Sequence, residues 1–313
     1  MSIEHRLSAD EVHYAWDREE VPRARVDSGD VVVLETRDSA DGYFDRTSTH
    51  ADVGRKGPLI GHPLTGPIYV NGAETGDCLA IKLLAVVPRQ GFGWTAIRPG
   101  SGLLPREEFP NPFIVVWELE SDGFARMRHR QDIAIPVAPF PGILGTAPRE
   151  SGKHSTIPPR YCGGNMDIKH LVAGSTVYIP VFAPGALLSI GDAHAAQGDG
   201  EVCITAIEMA AQVRVQVDII RARPIAEPRF RTPGSVRMAS SRGAFVTTSH
   251  GPDLYEASRR AVRYMIDHLV VERGLSREEA YIVCSVAVDL KICEIVDAPN
   301  WIVSAFLPES IFD

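Results

Sequence analysis

No two cysteines in the chain stand close enough for a CxxC pair, and the five present (Cys78, Cys162, Cys203, Cys284, Cys293) are odd in number and scattered. That pattern fits reduced thiols better than a disulfide framework or a zinc ribbon. Basic runs are equally scarce. The net charge is −8, and a stretch such as Arg221-Ala222-Arg223 holds only two cations. Phosphate binding needs clustered Lys and Arg, so no nucleic-acid partner is expected. No segment approaches the roughly 20 apolar residues of a membrane helix, so no membrane partner is expected either. The opening Met1-Ser2-Ile3-Glu4-His5-Arg6 mixes both charge signs and leads into no apolar core. A signal peptide is therefore not expected, and the expected location is cytoplasmic. Serine nucleophile patterns are also missing: there is no GxSxG and no Ser-Ser-Lys amidase stretch. Among the cysteines, Cys162 beside two glycines is the one thiol outside an apolar run, and burial without activation is the default for the others.

What is present is a globular composition, 44% hydrophobic and 23% charged over 313 residues, enough for a sizeable core in one large or two closely packed units. Short apolar runs broken by Gly, Pro and Asp fill residues 20–220. Val31–Leu34, Leu79–Leu84, Phe113–Trp117 and Ile204–Val217 all read as strands, the last as two strands or a bent one. Ser28-Gly29-Asp30, Thr75-Gly76-Asp77 and Ala173-Gly174-Ser175 each precede a strand and form a weak internal echo. After residue 250 the pattern changes. Leu254, Ala257, Ala261, Tyr264, Met265 and Leu269 follow helical spacing with Gly274 as the stop, and Ser276-Arg277-Glu278-Glu279 opens a second helix to about Val288. Strand-like runs at Ile292–Val296 and Trp301–Leu307 follow. The expected fold is α+β and predominantly β: a β-sandwich core over residues 1–225 with a smaller C-terminal α/β layer over 226–313 packed on it. Residues 225–250, rich in Pro, Arg, Ser and Gly, read as a crossing segment.

The densest polar cluster is Gly191-Asp192-Ala193-His194-Ala195-Ala196-Gln197-Gly198-Asp199-Gly200-Glu201, which reads as a hairpin with a Gly-rich tip. On an extended strand Asp192 and His194 share a face, roughly 7 Å apart at Cβ, a reach that one divalent cation bridges. Folding back around Gln197-Gly198 places Glu201 opposite His194. Glu208, seven residues further on, would then face the other way, roughly 23 Å along an unbroken strand, and ranks below Glu201. The competing reading is that Asp192 and Asp199 only cap turns. A second cluster, Cys162-Gly163-Gly164-Asn165-Met166-Asp167-Ile168-Lys169, offers amide, carboxylate and ammonium groups beside paired glycines. A third, Glu35 to Gly42, puts Asp38 just past the strand at Val31. His50 and His62 are further candidate ligands that nothing in the sequence singles out.

These blocks, in this order, resemble the acetamidase/formamidase family. The resemblance rests on Glu35–Gly42, Pro63–Pro67 with Val70–Asp77, Pro139–Gly145, Gly163–Lys169, Gly191–Glu201, Ala206-Ile207-Glu208 and the tail from Met265 to Phe312, and so covers about the whole chain. The GNxDxK and GDxHxxQGDGE blocks are specific in combination. The segment Tyr43-Phe44-Asp45 departs from the family pattern, and His62 stands where Asn is commoner; both put the substrate in question more than the reaction. The resemblance implies a β-sandwich core, a homo-oligomer (dimer or higher), hydrolysis of formamide, acetamide or related linear or cyclic amides, and a bound divalent metal. Zn²⁺ is the expected ion, with Ca²⁺ as the alternative. Asp38, Asp167, Asp192, His194 and Glu201 carry over from the matching blocks. Asp192, His194 and Asp38 are the expected ligands, Glu201 the proton acceptor, and Asn165 or Lys169 the oxyanion donors. A rival from another class is a non-catalytic β-sandwich binding module whose acidic clusters hold structural Ca²⁺.

Overall fold

The computed structural model describes residues 2–233, 243–295 and 299–312, with Glu294 by its backbone alone. Two large sheets bury their facing sides in one apolar core. The six-stranded sheet runs Glu4–Leu7, Val31–Thr36, Ala211–Ile220, Cys78–Pro88, Thr176–Pro180, Arg229–Arg231 in spatial order. Its central strand shows why it is one-sided: Ala211, Val213, Val215 and Val217 point into the core while Gln212, Arg214, Gln216 and Asp218 alternate outward. The second sheet has eleven strands and is not closed into a barrel. Its middle strand, Leu188–His194, is buried at every residue, as expected for a strand covered on both faces.

Gly29, Gly76 and Gly174, the centres of the weak sequence echo, adopt nearly the same left-handed φ (95°, 97°, 92°). Each leads into a strand of the six-stranded sheet. Asp30 and Asp77 accept from the backbone N–H three residues earlier, at Asp27 (3.0 Å) and Glu74 (3.1 Å). The echo is a repeated turn with a side-chain brace.

The C-terminal helices follow their caps. Asp253 accepts from the Glu256 amide, Leu254–Arg273 is helical, and Gly274 ends it in the left-handed region. Ser276 and Glu279 form a capping box before Arg277–Ala287. Ala261, Met265, Leu269, Ile282 and Val286 join the same core as the sheets. A three-stranded sheet of Ala244–Gly251, Trp301–Pro308 and Asp289–Glu294 completes this part. The strand at 244–251 lies where the composition suggested only a crossing segment, because its register with Trp301–Pro308 outweighs its Ser/Thr content. Of that segment, 234–242 lie outside the described residues, as does Val296 at the end of the expected Ile292–Val296 run. A short helix, His50–Arg55, was not anticipated. Among the described residues no helix is long and apolar enough to cross a membrane.

Candidate active site

The middle strand Leu188–His194 changes neighbour part-way along one edge. Ile190 and Gly191 pair with Thr65 and Leu64, whereas Ala193 and His194 pair with Met209 and Glu208. Asp192 falls at the seam and adopts a left-handed φ of 51°. On the other edge Phe140–Gly145 runs continuously past it. The break in pairing lets the backbone kink, and the kink brings Asp192 Oδ1 to 3.4 Å from His194 Nε2.

Glu208 meets the same nitrogen, with Oε2 at 3.4 Å. The hairpin expected here exists, but its centre is Glu201 and not Gln197-Gly198. The whole of 195–207 leaves the sheet, and Glu208 becomes the cross-strand partner of His194. The run at 204–217, expected as two strands or a bent one, forms two, Glu208–Met209 and Ala211–Ile220; residues 204–207 stay outside them, with Thr205 Oγ1 occupied by the Ala96 amide (2.9 Å) and carbonyl (3.0 Å). Glu208 therefore outranks its place in the sequence reading. Glu201 still reaches the site by curling back at the tip. One donor atom each from Asp192, His194 and Glu208 lies within 4.8 Å of the others, and so does one each from Asp167, His194 and Glu201.

Several contacts set the imidazole. Gln197 Nε2 donates to the Asp167 carbonyl (2.7 Å), which fixes the amide so that its Oε1 accepts from His194 Nδ1 (2.9 Å). Nδ1 therefore carries the proton, and Nε2 turns toward Asp192 and Glu208. The edge of the Phe140 ring packs on the imidazole at 5.2 Å between centroids. Asp192, His194 and Glu208 are 3%, 1% and 2% exposed. Yet among the described residues Asp192 Oδ1, His194 Nε2, Glu208 Oε2 and Asp167 Oδ1 find no hydrogen-bond partner. Glu208 spends its other oxygen on the Ala206 amide (3.0 Å). His62, braced by Thr156, stands 3.9 Å from Asp192 Oδ2.

Burial disfavours charge throughout, and the balance differs from group to group. Burial pushes Asp167 up to about 7 against the pull of His194, with Asp192 and Glu208 adding to the rise. Burial and Asp167 carry Glu201 well above the usual carboxylate range. Burial likewise raises Glu208. Burial also opposes charge on Asp192 and His194, but their mutual attraction outweighs it: Asp192 falls below its ordinary value, and His194, facing Glu208 as well, rises well above.

Gly142 sits where this crowding is greatest. Its carbonyl accepts from the Met166 and Asp167 amides (3.1 and 3.2 Å), docking the second sequence block against the strand. A Cβ there would lie 2.6 Å from Asp167 Oδ1 and 2.8 Å from His194 Cε1. Glycine in mid-strand marks such a close approach.

Three expected residues are placed otherwise. Asp38 is buried and electrostatically near Glu208 and Asp192, and its carboxyl rises to about 6, mainly through burial. Its Oδ1 is taken by the Ala40 and Gly42 amides of its own turn, and it is not among the converging donors. Lys169 does not face the cluster as a free cation: its ammonium pairs with Asp289 and with Asp199 (3.4 Å). Asn165 spends its amide N–H on the Ile157 carbonyl (3.0 Å), leaving a buried Oδ1 that cannot donate. His50 is exposed and stacks on Phe113. All five cysteines are unpaired, and burial raises Cys162 to about 11, so it is no nucleophile at neutral pH.

The blocks that build this site match the sequence profile of the acetamidase/formamidase family over residues 2–155 and 150–313. The chain belongs to that family. A formamidase from Methylophilus methylotrophus is 28% identical, over 97% of this chain and 90% of its own length. An acetamidase from Mycolicibacterium smegmatis is 29% identical over 67% of this chain and 66% of its own. Among solved structures, a gamma lactamase from Delftia acidovorans superposes with a TM-score of 0.91 at 27% identity, covering 99% of this chain and 93% of that one. An acetamidase from Bacillus halodurans gives 0.68 at 32% identity, covering 96% of each. This member of the acetamidase/formamidase family is accordingly an amidohydrolase acting on carbon–nitrogen bonds other than peptide bonds.

Proposed function

We propose that this amidohydrolase is metal-dependent and cleaves small amides of the formamide and acetamide class to carboxylic acid and ammonia. The observation that carries the reading is the convergence of Asp192, His194 and Glu208, each with a buried, unpartnered donor atom (Oδ1, Nε2 and Oε2), while Asp167, with its own unpartnered Oδ1, joins His194 and Glu201 in an overlapping group. Buried carboxylates stay charged only when paired or ligating. The ion pairs of this cluster among the described residues are with His62 and His194 alone. A cation held by Asp192, His194 and Glu208 satisfies the orphaned atoms, and mixed imidazole and carboxylate donors favour Zn²⁺ over Ca²⁺. When bound, such an ion polarises the amide carbonyl and lowers the pKa of water to about 7.

The chain's own groups do the rest. Gln197 holds His194 in the tautomer that leaves Nε2 free. Asp167 and Glu201 share one locale, and each makes ionisation of the other harder. Glu201, raised by burial, accepts a proton from water and returns it to the departing nitrogen. Water exclusion by the surrounding core favours small substrates. We also infer a cytoplasmic protein, from its unpaired cysteines, and a homo-oligomer, from exposed Ile60, Val21 and Val271. A lactam is the second reading, favoured by the higher TM-score to the gamma lactamase.

Metal analysis followed by turnover of formamide, acetamide and a γ-lactam, with and without chelator, tests both. We expect stoichiometric zinc, loss of turnover on chelation and recovery on adding Zn²⁺. Full activity in metal-free protein would remove the metal from the mechanism, and a preference for the lactam would select the second reading.

Stripping the metal also affects stability. Asp38 and Asp167 have folded-state pKa values of about 6 and about 7, above the roughly 3.9 of an unfolded chain. Their contribution is therefore fully present below about pH 4 and is lost as pH rises through about 6 and 7. At about 1.4 kcal/mol per pKa unit, the stripped protein loses on the order of several kcal/mol across that range. Thermal melts should show it less stable at pH 8 than at pH 5, with the difference narrowed by Zn²⁺ through its charge near Asp167. A flat profile in the stripped protein would contradict the burial argument.

A further inference from the structure

The segment bearing Glu201 is tied to the eleven-stranded sheet at its far end, where Thr205 and Ala206 bond to Ala96 and Thr95. Around Glu201 itself, its attachments run to the C-terminal helix Arg277–Ala287. Ser285 is fully buried there and meets the segment at three points. Its carbonyl accepts from the Gly198 amide (2.8 Å), its Oγ accepts from the Cys203 amide (3.1 Å), and the same Oγ donates to the Thr205 carbonyl (2.8 Å). These three positions bracket Glu201 on both sides. One turn earlier on the same helix, Tyr281 donates its hydroxyl proton to the Val202 carbonyl and accepts from the Leu104 amide (2.9 Å). Gly198 lies so close to the end of the helix that a Cβ would fall 2.2 Å from the Val288 carbonyl oxygen.

The segment needs such support. Glu201 and Ile204 adopt left-handed φ angles of 42° and 79°, which side chains with a Cβ disfavour and which persist only where surroundings over-determine them. Internally, Glu201 N–H bonds to Gly198 O (3.2 Å) and Ile204 N–H to Glu201 O (2.9 Å), a compact turn with no strand pairing of its own. Apart from the helix, the backbone at 202–203 is held by the Leu103 amide on the Val202 carbonyl (2.8 Å), by burial of Val202 and Cys203 in the core, and by the bonds of Thr205 to Ala96.

We propose that Ser285, with Tyr281, is a positioning residue for catalysis: the C-terminal helix sets the carboxylate of Glu201 against His194 and Asp167. The inference rests on the reading of Glu201 as the proton-transferring group. Ser285 touches no reacting atom and acts through the loop. Its removal therefore lowers kcat while leaving KM and bound metal nearly unchanged, since Asp192, His194 and Glu208 are held by strands.

The test is a double-mutant cycle on full-length protein with formamide and acetamide as substrates. Ser285→Ala should fold, retain its metal and lose about 10- to 100-fold in kcat with KM within about twofold, in line with the cost of misplacing a catalytic group by about an ångström. In a Glu201→Gln background the same substitution should cost no further turnover, because effects transmitted through one group do not add. Ser285→Thr, which keeps the hydroxyl, should recover most of the rate. Tyr281→Phe serves as the second variant if Ser285→Ala does not fold, with the same expected split. Unchanged kcat in a folded Ser285→Ala or Tyr281→Phe protein overturns the inference, as does an equal loss in both backgrounds. If Glu201→Gln alone retains near-normal turnover, the functional reading of Glu201 fails first, and the two failures are told apart.

Discussion

His194→Ala should lower amide turnover by at least about a thousandfold and deplete bound metal while the protein still folds. His194 belongs to both donor groups, so its loss dismantles each at once. A thousandfold corresponds to about 4 kcal/mol of transition-state stabilisation, within the range for removing a group that assembles a reactive centre. The fold should survive because the strand is held by backbone pairing to Phe140–Gly145 and to Glu208–Met209, which an alanine leaves in place. The void beside Phe140 and the loss of the ion pairs to Asp192 and Glu208 both cost stability. Glu208→Gln, which keeps shape, should give a comparable loss and makes the comparison independent of cavity formation. Steady-state kinetics, metal content and circular dichroism on the same preparations check the outcome. Turnover within tenfold of the parent enzyme in a folded His194→Ala protein would sink the assignment.

Gly142→Ala should be nearly as damaging although it removes no functional group. The added methyl would meet Asp167 Oδ1 at 2.6 Å, His194 Cε1 at 2.8 Å and the Asp192 carbonyl at 2.9 Å. None of these is the far end of a flexible side chain: the histidine is pinned by Gln197, and the aspartate's own backbone is docked on Gly142. Something must shift by several tenths of an ångström. A displacement of that order in a reactive constellation costs about 100-fold in kcat/KM. Overpacking also destabilises, typically by about 1–3 kcal/mol. Kinetics together with a denaturant midpoint separate the two effects. Full activity with an unchanged midpoint would show that the cradle is looser than its distances indicate.

Much of this arrangement could be read before any coordinates. The strand alternation at Val31–Leu34 and Phe113–Trp117, the helix stop at Gly274 and the capping box at Ser276 are local signals, and the structure keeps them. Asp192 and His194 meet because they are two apart on one strand. Long-range pairing decides the rest. Nothing local distinguishes a tight turn at Gln197-Gly198 from a loop centred on Glu201, and that shift of register moved Glu208 from the far face to the heart of the cluster. Lys169 and Asn165 looked like free donors because their partners, Asp289 and the Ile157 carbonyl, are brought to them only by the tertiary fold. Gly142 carried a usable clue: a glycine inside an apolar strand signals close approach, and the groups it makes room for are the Asp167 carboxylate and the His194 imidazole.

The clamp at Ser285 ties an early-encoded reactive centre to the last segments of the chain. Strands bearing Asp192, His194 and Glu208 can pair once residues up to about 220 are available, whereas the Glu201 loop acquires its anchor only when the helix at 277–287 has docked. Recovery of turnover should therefore be among the final events of refolding, trailing the burial of Trp94 and Trp117 that reports assembly of the sheets. A chain caught between those two events would possess the ion-binding groups yet lie catalytically dormant.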